Sequence, residues 1–217
     1  MKIAVLIPSR GDRPGFLDNC KRLLSLQTLQ PDHIEVVDFA PLDEQCDITP
    51  RYRFGYNKLS EMGFDVILFM EDDDYYSPNY IETMITEWNN ADRPDIFGTD
   101  YTFYYSLRAW GRFTMEHCQR SSAMSTLIKP NLNINWPENH DPYTDVFLYN
   151  QLKYKLFHPE ETICIGIKHG IGKCGGECHV NHLRRFTTGN SLPDPNKEWL
   201  KNTVDEDSFK FYLSIIN

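Results

Sequence analysis

Along the first 90 residues, short apolar runs alternate with segments whose apolar residues recur every three to four positions. Ile3 to Ile7 is a continuous apolar run that ends in Pro8-Ser9-Arg10-Gly11-Asp12. Such a run fits a strand covered on both faces. Pro14 then suits the first turn of a helix starting after Asp12 or Arg13, with Phe16, Leu17, Cys20, Leu23 and Leu24 on one face. Ile34 to Phe39 predicts a second strand, with Asp38 near its carboxyl end, and Thr49-Pro50 opens a second helix that Gly63 stops. Val66 to Met70 is a third buried strand and runs directly into Glu71-Asp72-Asp73-Asp74. After Tyr75-Tyr76, Ser77 is expected to cap and Pro78 to start a helix carrying Ile81, Met84, Ile85 and Trp88 inward. Three strand-helix units in succession predict an α/β protein with a doubly wound, Rossmann-like half of nucleotide-binding type.

The pattern then changes. Short strands are expected around 96–98, 102–106 and 124–128, with an aromatic-rich connection containing Trp110 between the last two. Asp141-Pro142 begins a helix predicted to reach about Tyr154, and Cys164 to Ile167 forms a short strand ahead of the glycine-rich stretch from His169 to Gly176. The tail, 196–216, reads as one or two amphipathic helices interrupted near Asp205. With no repeat, low-complexity tract or linker, the 217 residues are expected to form a single domain.

Composition narrows the partners. Apolar residues at 41% and charged residues at 24% describe a folded globular chain, and a net charge of −9 argues against a nucleic-acid or membrane-surface binder, which needs a basic footprint. The five apolar residues after Lys2 are too few for a signal-peptide core, and no run approaches the length of a membrane span. The six scattered cysteines then suggest reduced thiols and a cytoplasmic location.

The acid run carries the candidate chemistry. Four adjacent carboxylates at the carboxyl edge of a sheet raise one another's pKa and are costly without a cation. An all-oxygen ligand set suits Mg²⁺ or Mn²⁺, which commonly arrive with a substrate phosphate. The plain alternative is a solvated acidic turn.

These residues resemble the metal-dependent glycosyltransferases of the GT-A fold, above all the family 2 type. The resemblance is carried by Val5-Leu6-Ile7-Pro8-Ser9-Arg10, Phe69-Met70-Glu71-Asp72-Asp73-Asp74 and Ser77-Pro78-Asn79-Tyr80, and covers about residues 1–90 well. The chain is also similar to the small glycosyltransferase domains with which large algal viruses decorate capsid protein. The resemblance implies a mixed central sheet flanked by helices, a nucleotide-sugar-binding half (1–100), a smaller acceptor and catalytic half (101–195) and a helical tail (196–217). It implies a nucleotide-sugar donor, UDP-sugar first, and a glycan or glycoprotein acceptor. By it, Asp72 meets the ribose or base side with Asp73 beside it, and Asp74 ligates the metal. Pro8, Ser9, Arg10 and Asp12 line the nucleotide pocket, Asp38 accepts the base N–H, and Arg53 reaches a phosphate.

His169-Gly170-Ile171-Gly172-Lys173 is similar to the His-x-x-Gly-x-x-Lys element that closes the donor site in some GT-A enzymes, one residue shorter on each side. It implies His169 on the metal and Lys173 on the leaving phosphate, with a flexible loop as the alternative. For an inverting reaction Asp145 occupies the place of the family's base, although Thr144 stands where the family carries Glu. Asp141 is the reserve, each acid having a helix-terminus role as its alternative.

Competing readings are weaker. Cys174, Cys178, His179 and His182 lack the paired spacing of a structural zinc site. Tyr104, Tyr105, Trp110 and Phe113 would stack on a sugar or, more commonly for such clusters, fill the core. Tyr75-Tyr76 does not suit an aspartyl-nucleophile phosphatase, and the loop after the first strand lacks the glycine-rich basic signature of a nucleotidyltransferase. A non-catalytic nucleotide-sugar or glycan-binding module remains the alternative from another class.

Overall fold

A computed structural model describes residues 1–13, 15–41, 46–171 and 191–216. Two sheets organise the chain. The larger has six strands in the order β2-β1-β3-β8-β5-β9, formed by β1 (Ile3–Pro8), β2 (His33–Val37), β3 (Val66–Phe69), β5 (Ile96–Thr99), β8 (Thr126–Ile128) and β9 (Tyr154–Phe157). β1 runs parallel to β2 and β3, whereas β8 is antiparallel to both β3 and β5, so the sheet is mixed. The smaller sheet, β11-β7-β6-β10-β4, contains β4 (Tyr75–Tyr76), β6 (Tyr101–Ser106), β7 (Gly111–Glu116), β10 (Cys164–Lys168) and β11 (Leu192–Pro193).

The continuous apolar runs are explained by packing on both faces. Ile3, Val5 and Ile7 of β1, with Val66, Leu68 and Met70, face α1 (Phe16–Ser25) and α3 (Tyr80–Asn90) through Cys20, Leu24, Ile81, Met84 and Trp88. Ala4 and Leu6, with Ile67 and Phe69, face α2 (Ile48–Glu61) and α4 (Thr144–Gln151) through Tyr52, Tyr56, Leu59 and Leu148. Successive strand residues point to opposite sides, so each alternate set meets its own helix layer. A third core lies on the small sheet, where Tyr75, Tyr105, Ile165 and Ile167 pack with Leu200 of α5 (Glu198–Thr203) and Tyr212 of α6 (Glu206–Ser214).

Several boundaries differ from the sequence expectation. Helix α1 begins at Phe16 because Gly15 takes a left-handed φ of 83°, which breaks the helix that Asp12 or Arg13 would have started. Ser77 does not cap α3: its hydroxyl donates to Asn79 Oδ1 at 2.6 Å and the helix starts at Tyr80. Helix α4 starts at Thr144 and stops at Gln151, since residues 154–157 are drawn into the large sheet as its edge strand beside β5. The aromatic-rich connection is strand β7, paired with β6 from Tyr101↔Glu116 to Ser106↔Gly111. The tail matches its expectation, with Asp205 capping α6 by accepting from Asp207 N and Ser208 N, each at 3.1 Å.

Cys20, Cys118 and Cys164 are free, but Cys46 is disulfide-bonded, which corrects the expectation of reduced thiols throughout. Linear spacing carries no information on which thiols meet in space. No helix among the described residues is long and apolar enough to cross a membrane.

The packing is tight where β5 passes under α4. A Cβ placed on Gly98 would fall within contact distance of Ser121 Cβ and 2.5 Å from Tyr149 OH. Gly98→Ala is therefore expected to destabilise the protein by about 1–3 kcal/mol, the usual cost of overpacking, as read by urea unfolding. Unchanged stability would show that this region yields more easily than its packing implies.

Candidate functional site

The carboxyl ends of β1, β2 and β3 lie side by side. Pro8 pairs with Val37, Ser9 N donates to Val37 O at 3.0 Å, and Met70 N donates to Leu6 O at 3.0 Å. The loop after β1 and the acid turn after β3 therefore face each other at the sheet edge. Strand β4 carries the turn into the second sheet, pairing antiparallel with β10 through Ile165↔Tyr75. That pairing brings the end of β10 onto the acids.

The acids are not a solvated turn. Asp72, Asp73 and Asp74 are exposed by only 2%, 6% and 1%. Asp72 Oδ2 accepts from Ser9 Oγ at 2.6 Å and its other oxygen is paired with Arg13. Asp73 Oδ2 takes Arg13 at 2.5 Å and His169 Nε2 at 2.9 Å. Asp74 Oδ1 accepts from Ile167 N at 2.8 Å, while its Oδ2 is buried and has no hydrogen-bond partner among the described residues. Glu71 accepts from Tyr52 OH at 2.9 Å.

Charge is unevenly compensated. Burial, and then the neighbouring Asp73, push the Glu71 carboxyl up to about 7, against the pull of Lys168 and Tyr52. Burial raises Asp72 to about 6 although Arg13 opposes it, and burial with Asp73 raises Asp74 well above the usual carboxylate range. For Asp73 burial also acts upward, but Arg13 and His169 outweigh it and hold that carboxyl far below its ordinary value. Arg13 thus pairs with Asp72 and Asp73, whereas Glu71 and Asp74 have no ion pair among the described residues. One carboxylate oxygen each of Glu71, Asp73 and Asp74 lies within 4.8 Å of the others, and Asp74 is the residue whose Oδ2 has no hydrogen-bond partner among the described residues. An all-carboxylate set with spare negative charge fits a hard divalent cation such as Mg²⁺ or Mn²⁺.

The other predicted residues fall as follows. Arg10 pairs with Asp12 at 3.1 Å and with Asp47 at 2.9 Å. Asp38 is exposed just beyond β2. Arg53 donates to Asn139 Oδ1 at 2.8 Å on the surface of α2. The arginine that reaches the first loop is instead Arg51, which is fully buried and donates to Ser9 O at 2.6 Å and Asp47 Oδ2 at 2.7 Å. His169 accepts from Ile171 N at Nδ1, 3.0 Å, so its Nε2 carries the proton given to Asp73 and both ring nitrogens are engaged. Lys173 and the Cys174, Cys178, His179 and His182 group lie outside the described residues.

Asp145 sits in the first turn of α4, paired with Arg120 and accepting from Val146 N at 2.9 Å. Burial raises its carboxyl against the pull of Arg120. Asp141 accepts from Tyr143 N at 2.8 Å and its carbonyl from Thr49 Oγ1 at 2.6 Å, tying the starts of α2 and α4 together. Tyr104, Tyr105 and Phe113 are buried in the small sheet, which makes them packing residues.

The sequence reading missed Arg13, Asp47, Arg51 and Lys168. Arg13 had a usable signal: four acids at a sheet edge require cations, and it lies in the loop that faces them. Arg51 had none, because one helical position decides whether an arginine points inward or, like Arg53, outward.

No protein-family model and no curated protein matches the chain. Solved structures do. A197 from STIV superposes with a TM-score of 0.50 at 17% identity, covering 73% of this chain and 82% of that one. S. aureus TarS 1-349 in complex with UDP-GlcNAc gives 0.52 at 11% identity, covering 99% of this chain and 79% of that one. A glycosyltransferase involved in the glycosylation of the major capsid of PBCV-1 gives 0.44 at 13% identity, over 76% and 93% of the two chains. At these identities the likeness concerns architecture, and the architecture is that of the GT-A fold.

A pH dependence follows for the metal-free protein. A carboxyl whose pKa rises on folding keeps its proton where the unfolded chain has lost it. Stability therefore falls as pH climbs from the ordinary carboxylate range through about 6 for Asp72 and about 7 for Glu71. His117, lowered by burial to about 4, acts in the opposite sense between that value and its ordinary one. Mn²⁺ separates the two, because it offsets only the acid term. In chelator at neutral pH, Asp74→Asn should raise Tm by several degrees, about 2–4 °C per kcal/mol, and should abolish the stabilisation by Mn²⁺. An Asn variant that is no more stable in chelator and still responds to Mn²⁺ would contradict this electrostatic account.

Proposed function

We propose that the chain is a glycosyltransferase that moves a sugar from a nucleotide-diphosphate sugar, UDP-sugar first, to a hydroxyl of a glycan or glycoprotein, with inversion at the anomeric carbon. The observation that carries this reading is the oxygen-only cluster of Glu71, Asp73 and Asp74 at the sheet edge of a GT-A fold, in which Asp74 keeps a buried oxygen with no hydrogen-bond partner among the described residues. The solved complex of TarS with UDP-GlcNAc supports the choice of donor. In this reading residues 1–100 serve the donor and 101–195 the acceptor and the base, within one domain.

Asp74 and Glu71, with Asp73, would hold Mn²⁺ or Mg²⁺. Bound there, the cation neutralises the charge that grows on a departing diphosphate. His169 orients Asp73 through its Nε2–H in this arrangement, and would join the metal only by giving up a present hydrogen bond. Asp72, fixed by Ser9 and Arg13, presents its carboxylate toward the ribose side. Pro8 and Arg10 shape the pocket, Arg10 being braced by Asp12 and Asp47, and the exposed Asp38 accepts the N–H of the base. Arg53 would have to leave Asn139 to reach a phosphate. Asp145 takes the proton of the acceptor hydroxyl; its raised pKa suits a base, and Arg120 fixes its orientation. Asp141, engaged at the start of α4, is the reserve.

Two measurements test the reading. By titration calorimetry, UDP binding should strengthen about tenfold or more on replacing chelator with Mn²⁺, and Asp74→Ala should remove that difference. Equal affinity in both conditions would sink the metal assignment. Asp145→Asn preserves size and removes basicity, so turnover should drop roughly a hundredfold or more with donor affinity nearly intact. Near-normal turnover would move the base elsewhere, and a product of retained configuration by proton NMR would contradict inversion.

A further inference from the structure

The proposed donor site has acids for a metal, yet the cations nearest to it are almost all committed. Arg13 is bound to Asp72 and Asp73, Arg10 and Arg51 to Asp47, and Arg120 to Asp145. Lys168 differs. It is the last residue of β10, between Ile167, whose N–H binds Asp74 at 2.8 Å, and His169, whose ring binds Asp73 at 2.9 Å. The residues on both sides of it are thus fastened to the acid turn. Lys168 makes no ion pair with a carboxylate among the described residues, and its ammonium lies 5.0 Å from the centroid of the Tyr104 ring.

That ring is itself immobilised. Tyr104 stacks on Phe113 with centroids 4.9 Å apart, donates from its hydroxyl to Ser122 Oγ at 3.3 Å, and lies against Gly166, where any Cβ would overlap the ring. The ammonium therefore rests on a fixed aromatic face, on the strand end that grips the acid turn, without an ion pair to any carboxylate among the described residues.

We propose that Lys168 is the cation that binds the diphosphate of the nucleotide donor, a positioning role that rests on the donor reading above. A lysine is a compact charge on a flexible stem with three donors, able to meet a phosphate oxygen without first breaking a salt bridge. A metal held by Glu71 and Asp74 would relieve their attraction for the ammonium and release it toward the phosphates. Lys168 would then take the part that the sequence assigned to Lys173.

The test compares UDP with uridine, by calorimetry on the full chain, in chelator and in Mn²⁺. Lys168→Met should weaken UDP about ten- to hundredfold, the range of a charge-assisted hydrogen bond, and leave uridine unchanged. Lys168→Arg should recover most of the loss. Lys168→Gln, which keeps a polar head in case the Met variant fails to fold, should lose UDP selectively as well. If Lys168 only balances buried charge, the Met and Gln variants would melt earlier but keep the ratio of UDP to uridine affinity, and the proposal would be overturned. A wild-type chain that binds neither UDP nor any other nucleoside diphosphate would overturn the donor reading itself, and this assignment with it.

Discussion

The structure turns on the burial of three consecutive aspartates, with the half-buried Glu71 before them, at the end of β3 with too few positive charges to match them. Water is replaced there by Ser9 and Arg13 from the loop after β1, Tyr52 of α2, and the Ile167 amide and His169 at the end of β10. Arg13 settles only part of the charge, since it binds Asp72 and Asp73, and Asp74 keeps a buried oxygen with no hydrogen-bond partner among the described residues. A carboxylate without a partner in such surroundings costs free energy, and cheaper sequences for a stable turn exist. The arrangement makes physical sense as a site kept ready for a cation.

The rest of the fold holds that cost in place. β1 and β3 are anchored between two helix layers, so the backbone that presents the acids cannot relax outward. The second sheet closes the far side through the short pairing of β4 with β10, and the tail helices pack against that sheet; Arg22 of α1 pairs with Asp205 at the start of α6 at 2.9 Å. The tail thereby braces the helix that follows the Arg13 loop. Rigid support of this kind lets a strained electrostatic arrangement persist.

Much of the first half was legible because its apolar runs and turn residues carry strong local signals. The strand ending at Pro8, the helix ended by Gly63 and the strand running into Glu71 all lie where their patterns put them. What the pattern did not reveal was decided by contacts between distant segments. Tyr75-Tyr76 and residues 154–157 become strands only because β10 and β5 offer them partners, and residues 111–116 do so through β6. Helix periodicity near 144–154 gave no warning that the helix would stop at Gln151 and that Tyr154 would open the edge strand. The site shows the same division. Acids placed by one strand were readable from the sequence, whereas Arg51, buried two residues from the surface residue Arg53, and Lys168, set between two residues that grip the acids, owe their positions to packing.

The central claim is that the clustered carboxylate oxygens of Glu71, Asp73 and Asp74 form a seat for a divalent cation. Anomalous diffraction at the manganese edge, from crystals grown with MnCl₂ and UDP, addresses it directly. The account predicts one dominant peak within coordination distance of Asp74 Oδ2 and of at least one oxygen from Glu71 or Asp73. An anomalous map with no peak there, while UDP is bound at the carboxyl edge of the sheet, would contradict it.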